Sequence, residues 1–180
     1  MTARGIRQAF VLEFLNVKTR RVILSPTTYQ PNAEWIEAQA ESFVDQAREE
    51  GLPVARLMRD RDGAFTQVFD DALRRRHVKV LKTQFRAPNA YVERFVQSIK
   101  QECLDHFVIF GAQHMDVLCR EYLDYYHHER PHQSKDNLPL VQQNQEGLQR
   151  GENSGNLPLS QIACRQRLGG LLKHYYRKAA

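Results

Sequence analysis

Arg56-Leu-Met-Arg-Asp-Arg-Asp-Gly-Ala-Phe65 is the stretch on which the reading of this chain turns. The apolar run at 54–58 stops abruptly in alternating charge, followed by Gly63. Such a run predicts a buried strand whose C-terminal end delivers a carboxylate, Asp60 or Asp62, to an edge that ligands can reach. The next carboxylate able to join it is Glu93, after 32 intervening residues, near the start of a helix that begins beyond Pro88. An Asp on a strand end and a Glu on a helix are a candidate pair of metal ligands.

Working outward, charge is unevenly spread over the 180 residues, whose net charge is +5. Residues 51–100, which hold Asp60 and Glu93, carry 11 Lys/Arg against 5 Asp/Glu; residues 101–146 carry 3 against 8, and residues 147–180 carry 6 against 1. Basic charge thus collects around the candidate site and in the C-terminal stretch, and a polyanion is the natural partner of such a surface. No run approaches the ~18 apolar residues of a membrane span. The first residues, Met-Thr-Ala-Arg-Gly-Ile-Arg-Gln, lack the apolar core of a signal peptide, so a cytoplasmic location is expected. Cys103, Cys119 and Cys164 are odd in number and widely spaced; the first two read as small helix-packing residues rather than disulfide partners or zinc ligands.

In chain order, 10–15 and 21–25 read as two strands of an antiparallel hairpin. Glu13 stands out in the first, because a carboxylate in a strand is costly to bury unless it is paired or metal-bound. Asn32 caps an expected helix running to about residue 50, with Gly51 as its stop. After the strand at 54–58, residues 66–76 predict a helix with Val68, Phe69, Ala72 and Leu73 inward. Arg74, Arg75 and Arg76 at its end suit either the helix dipole or DNA. A short strand at 78–81 leads to a long helix at 90–107, expected to bury Val92, Val96, Ile99 and Cys103. Glu93, Gln97 and Lys100 fall at i, i+4 and i+7 on an adjoining stripe. A further helix at 112–127 presents Met115, Leu118, Tyr122 and Tyr125 on one seam. This order predicts a mixed α/β layer fold. Residues 10–140 form the expected core, and 141–180 a polar linker with a basic tail.

Four segments resemble the integrase core of DDE-type bacterial transposases: Arg59-Asp-Arg-Asp-Gly-Ala-Phe, Arg86-Ala-Pro-Asn-Ala-Tyr-Val-Glu-Arg-Phe, Lys100-Gln-Glu-Cys-Leu-Asp and Tyr126-His-His-Glu-Arg-Pro-His. That family shares a ribonuclease-H-like fold with retroviral integrases. The resemblance implies a ribonuclease-H-like mixed sheet flanked by helices and a function in DNA integration or transposition. By motif position it implies Asp60 and Glu93 as catalytic carboxylates holding Mg²⁺ or Mn²⁺. Gln97 and Lys100 are implied to lie along DNA, with Arg59, Arg61 and Arg130 as further DNA-facing cations. Tyr126, Pro131 and His132 are expected to be structural or DNA-facing, and Asp62 to point to solvent or cap the next helix.

The family's first catalytic Asp precedes the strand at 10–15, and nothing acidic precedes Phe10 here. The first strand is therefore expected to be missing, the chain to be an N-terminally truncated remnant, and strand transfer to need an acid from elsewhere. The segment before Glu93 is also about two residues shorter than the family's, which shifts Glu93 relative to Asp60. Expected partners are DNA and either a second copy or an upstream transposase fragment. The rival reading is a non-catalytic DNA-binding or partner-binding protein that keeps the fold.

Overall fold

A computed structural model describes residues 5–60, 65–83, 90–141 and 158–178. The predicted hairpin forms from β1 (Glu13–Leu15) and β2 (Val22–Leu24), paired with Phe14 opposite Ile23. Asn16 closes the turn by accepting the Lys18 and Thr19 amides on its side chain. Phe10 extends the hairpin only through an isolated bridge to Thr28. Helix α1 (Ala33–Glu49) starts at its expected cap: the Trp35 amide donates to Asn32 Oδ1 at 2.9 Å. Strand β3 (Arg56–Arg59), helix α2 (Gln67–Arg75) and strand β4 (Lys79–Lys82) then make a parallel β-α-β unit, with Leu57 opposite Val80. Helices α3 (Ala90–Glu102) and α4 (Ala112–His128) follow, joined by a short 3₁₀ turn at Leu104–His106.

Alternation along the first hairpin sorts its side chains onto two faces. Phe14 and Ile23 pack with Ile36, Val44 and Phe69 against α1 and α2. Val22, with Leu15 and Leu24, packs instead with Phe95, Leu118 and Tyr122 of α3 and α4. The hairpin is thus the middle layer of an α/β/α sandwich. Phe14 stacks on Phe43 of α1 with ring centroids 3.9 Å apart.

Three features differ from the sequence expectations. Helix α3 buries Phe95, Ser98 and Ile99, with Cys103 buried just beyond its end, while Val96 is 40% exposed and Val92 only half-buried, so its inward stripe is rotated from the one expected. The aromatic Phe95 finds Tyr122 and Tyr126 across the helix pair, and that gain outweighs burial of two valines. Val68 likewise faces outward at 37%, and Asp70 takes an interior place on α2.

The C-terminal stretch carries the third difference. Beyond residues 142–157, which lie outside the described residues, β5 (Ile162–Arg167) and β6 (Leu172–Arg177) form an antiparallel hairpin. Leu168, Gly169 and Gly170, at φ of 51°, 68° and 93°, carry the positive dihedrals of its turn, which the two glycines adopt without strain. The expected basic tail is therefore in large part folded: Leu172 is buried among the side chains of α3 and α4. Arg165 and Arg167 close over the Glu129 carboxylate. Burial alone raises the pKa of Glu129; hydrogen bonds from Arg167 and Arg165 outweigh that and hold it below the usual carboxylate range.

Cys103 and Cys119 are packing residues, their thiols pushed up by burial to about 11 and about 12. No described helix is long and apolar enough to cross a membrane.

Candidate functional site

Asp60 follows directly on β3 and is exposed. The residue before it, Arg59, is buried: its Nε and Nη2 donate to Asp70 Oδ1 and Oδ2 at 2.8 and 2.9 Å. The same guanidinium donates through Nη1 to the Asp60 carbonyl at 2.8 Å. Lys82 Nζ, on the neighbouring β4, also approaches Asp70 Oδ2 at 3.2 Å. Burial alone raises the carboxyl of Asp70; hydrogen bonds from Arg59 and Lys82 outweigh it and leave the group below its ordinary value. Arg59 is thus not a solvent-facing cation. Its charge is matched inside the fold, and its third hydrogen bond pins the main chain that carries Asp60. Sequence reasoning assigns no role to Asp70, because an acid beside Phe69 on an amphipathic helix reads as a surface residue until its partner is known. Arg61 and Asp62 lie outside the described residues.

Glu93 projects from the first turn of α3, with Gln97 and Lys100 below it on the same exposed face. The three line one shallow cleft together with Val92, Val96, Gln101 and Asp105. Asp105, within the Lys100-Gln-Glu-Cys-Leu-Asp segment, has no role legible from sequence; the 3₁₀ turn after α3 brings it into that cleft. Asp60 lines a separate, larger cleft of about 530 Å³ between β1 and β3. Val92, the residue before Glu93, lines both, so the two candidate carboxylates open onto adjoining spaces. The start of α3 is fixed against the first hairpin by Arg20, whose guanidinium carbon lies 3.2 Å from the Tyr91 ring centroid.

Arg130 is committed elsewhere. Its Nε and Nη2 donate to the two Glu102 oxygens at 2.9 and 2.7 Å, tying the end of α4 to the end of α3. Tyr122 Oη adds a 3.0 Å hydrogen bond to the same carboxylate. His132 sets Nε2 2.8 Å from the Tyr126 carbonyl and its ring edge-on to Tyr126. The Tyr126-to-His132 segment is therefore a structural clasp. The arginines ending α2 are also paired: Arg74 with Asp71, Arg75 with Glu37 and Glu41, and Arg76 with Asp45. Arg75 and Arg76 staple the end of α2 to α1, Arg74 is held within α2, and the three do not form a free basic patch. Among the described residues, no three His, Cys, Asp or Glu side chains converge as a metal-binding group.

Residues 77–139 match the family model described as an integrase core domain. The catalytic core domain of HTLV-2 integrase, solved in complex with magnesium in a trimeric form, is similar in structure. It shows a TM-score of 0.51 and 13% identity, over 73% of this chain and 90% of that one. In fold, the chain resembles the catalytic core of a retroviral integrase. Its mixed α/β architecture is accordingly ribonuclease-H-like. No curated protein matches the chain. Within the integrase-like core, the matched stretch runs from the end of α2 to the Tyr126–His132 clasp and includes Glu93, Gln97, Lys100 and Arg130; Asp60 lies ahead of it.

Proposed function

We propose that this chain acts on DNA as an integrase-like core in integration or transposition, with Asp60 and Glu93 as the carboxylates that hold Mg²⁺ or Mn²⁺ against a phosphodiester. The observation that carries the reading is the shared Val92 wall, which sets the clefts of Asp60 and Glu93 side by side within an integrase-like core.

The donor set suits the ion. Mg²⁺ favours hard oxygen ligands and commonly takes one or two carboxylates plus waters and substrate phosphates. When bound, such an ion polarises a phosphoryl oxygen and stabilises negative charge there. The chain's own residues have distinct tasks. The buried Arg59–Asp70 pair fixes the main chain of Asp60, while α3 sets Glu93, Gln97 and Lys100 in line for a sugar–phosphate backbone. Lys100 supplies a point charge and Gln97 an amide donor. Asp60 and Glu93 are the two carboxylates proposed to hold the ion; Asp105 lines the Glu93 cleft and Glu13 the Asp60 cleft without being assigned to the ion, so cleavage and joining are proposed to require a further acid. The rival reading, a fold that binds DNA or a partner without reaction, draws on the same shortage and on the ion pairing of Arg59, Arg130 and the α2 arginines.

Mn²⁺ binding to the purified chain, followed by paramagnetic relaxation of water protons, tests the pair without requiring turnover. Asp60→Asn and Glu93→Gln should each weaken Mn²⁺ binding at least tenfold with the fold intact by circular dichroism. Unchanged binding in both variants would remove Asp60 and Glu93 from the metal site.

A further inference from the structure

The β5–β6 hairpin sorts its side chains between two faces, and the two are chemically unlike. Side chains alternate along a strand, so Arg165 and Arg167 share a face with Leu172, His174 and Tyr176 across the ladder. That face meets the helices. Leu172 is buried among the side chains of α3 and α4, and Arg165 and Arg167 hold the Glu129 carboxylate. His174 sets Nδ1 3.0 Å from the Glu129 carbonyl and lays its ring nearly parallel to that of Tyr176, with centroids 5.8 Å apart.

The outward face carries Lys173, Tyr175 and Arg177 on β6, with Cys164 directly across from Tyr175 and Gln166 across from Lys173, all exposed. Tyr175 is 64% exposed, and no ring, hydrogen bond or ion pair engages its side chain among the described residues. Lys173 and Arg177 have no acid partner among those residues either. The contrast with the inward arginines is one of placement, because residues 158–178 hold five Lys/Arg and no Asp/Glu. Among the described residues, acids reach the hairpin only from α4 and its end, on the inward side.

We infer that this outward face binds single-stranded DNA, with one base stacked on the Tyr175 ring and Lys173 and Arg177 on the phosphates to either side. The two cations stand two residues from Tyr175 along β6, about 7 Å in each direction. An aromatic ring set between cations on an acid-free surface takes a base on its π-face and the backbone on its charges, with little regard to sequence. A duplex offers phosphates to Lys173 and Arg177 but keeps its base faces covered by neighbouring pairs, so Tyr175 selects the unpaired strand. Across the ladder Cys164 is too small to cover the ring. None of these residues lines the cleft of Asp60 or that of Glu93, so the platform is a second contact on the nucleic acid. That the strand is DNA rests on the integrase-like reading; the stacking surface rests on the hairpin alone.

The test uses the whole chain with EDTA present, so that no metal occupies the carboxylates, and follows fluorescence anisotropy of a labelled oligothymidylate and of a duplex of equal length. Tyr175→Leu, which keeps apolar bulk and removes the ring, should weaken the oligothymidylate at least about fivefold and leave the duplex within about twofold. Tyr175→Trp should bind the oligothymidylate as tightly as the parent or more so. Lys173→Gln combined with Arg177→Gln should weaken both forms and lower the salt slope of both. All these positions are exposed, and circular dichroism should show the fold unchanged. Equal loss on duplex and single strand, or none on either, overturns the proposal. An equal effect of Tyr175→Leu on heparin or polyglutamate also overturns it, because those anions carry no bases. Oligouridylate bound more tightly than oligothymidylate, with the same dependence on Tyr175, gives the face to RNA and overturns the assignment to DNA. Failure here is separable from failure of the carboxylate pair: duplex binding indifferent to Tyr175 removes the platform alone, and Mn²⁺ binding indifferent to Asp60→Asn and Glu93→Gln removes only the metal site.

Discussion

Glu13 and Asp70 show how two partly or fully buried acids reach opposite electrostatic states in one fold. Asp70 has cations on two sides and stays ionised; Glu13 has none, and burial pushes its carboxyl up to about 8. A folded pKa above the ordinary 4.5 means that the folded chain keeps a proton which the unfolded chain releases. Stability from this group is complete below about pH 4.5 and falls as pH rises toward 8, at about 1.4 kcal/mol per pH unit. Glu13→Gln should therefore stabilise the protein at pH 8 by an amount of order 2–4 kcal/mol, with no difference near pH 4, in urea denaturation across that range. His127 works in the other direction: burial lowers its pKa to about 4, so its contribution is present above the ordinary 6.5 and is lost as pH falls through 4. Asp70→Ala strands the Arg59 guanidinium and should cost about 3–5 kcal/mol. Because Arg59 also holds the Asp60 carbonyl, the same variant should weaken Mn²⁺ binding even when measured well below its unfolding transition. Loss of stability with Mn²⁺ affinity intact would show that the buried pair has no part in placing Asp60.

Elements whose signals are local are legible in the amino-acid sequence. Asn32 caps α1, and the β-α-β unit from Arg56 to Lys82 leads to Asp60 as the strand-end carboxylate. Legibility fails where tertiary partners choose among local options. The face of α3 turns on Phe95 meeting Tyr122 and Tyr126, while the periodicity of Val92, Val96, Ile99 and Cys103 fits a helix equally well. The same holds for Arg59, Arg130 and the α2 arginines, whose acid partners are mostly distant in sequence. The β5–β6 hairpin has a signal in Gly169-Gly170, yet its docking depends on Glu129 and on the pocket for Leu172. That docking makes two expectations at this scale. Arg167→Ala leaves the Glu129 carboxylate, 2% exposed, with one partner on the hairpin, and should cost about 3 kcal/mol in urea denaturation, whereas exposed Arg177→Ala should change stability by less than about 0.5 kcal/mol. Arg165 and Arg167 are also neutralised by Glu121, Asp124 and Glu129, so only Lys173, Arg177 and Lys178 of the hairpin are free of acid partners among the described residues. Deleting 158–180 should lower the salt slope of DNA binding by no more than about 3. A fall of about 5 would show that the paired arginines reach phosphate.

At the scale of the whole molecule, DNA binding by this chain should be weak, nonspecific and steeply salt-dependent, because phosphate neutralisation dominates and the described residues form no base-reading module. The reaction depends on the acid count. If the proposed reaction used two divalent ions at one phosphodiester, they would bring four positive charges, of which Asp60 with Glu93 would offset two, leaving open coordination sites and excess charge. Glu13 borders the same cleft as Asp60 and is the one acid from the first hairpin able to compensate. With its carboxyl at about 8 it is largely protonated at pH 7, and a protonated carboxyl is a poor ligand for a hard cation. The chain by itself should therefore give no Mg²⁺- or Mn²⁺-dependent joining of a labelled 3′-hydroxyl end to target DNA at pH 7, and Glu13→Ala should behave identically. Raising the pH to 9 ionises Glu13 and separates a ligand that is merely protonated from one that is misplaced. Joining that appears only at pH 9 and is lost in Glu13→Ala would make Glu13 the third acid. Joining at pH 7 that disappears in Asp60→Asn would show instead that two carboxylates suffice, and would overturn the requirement for a further acid.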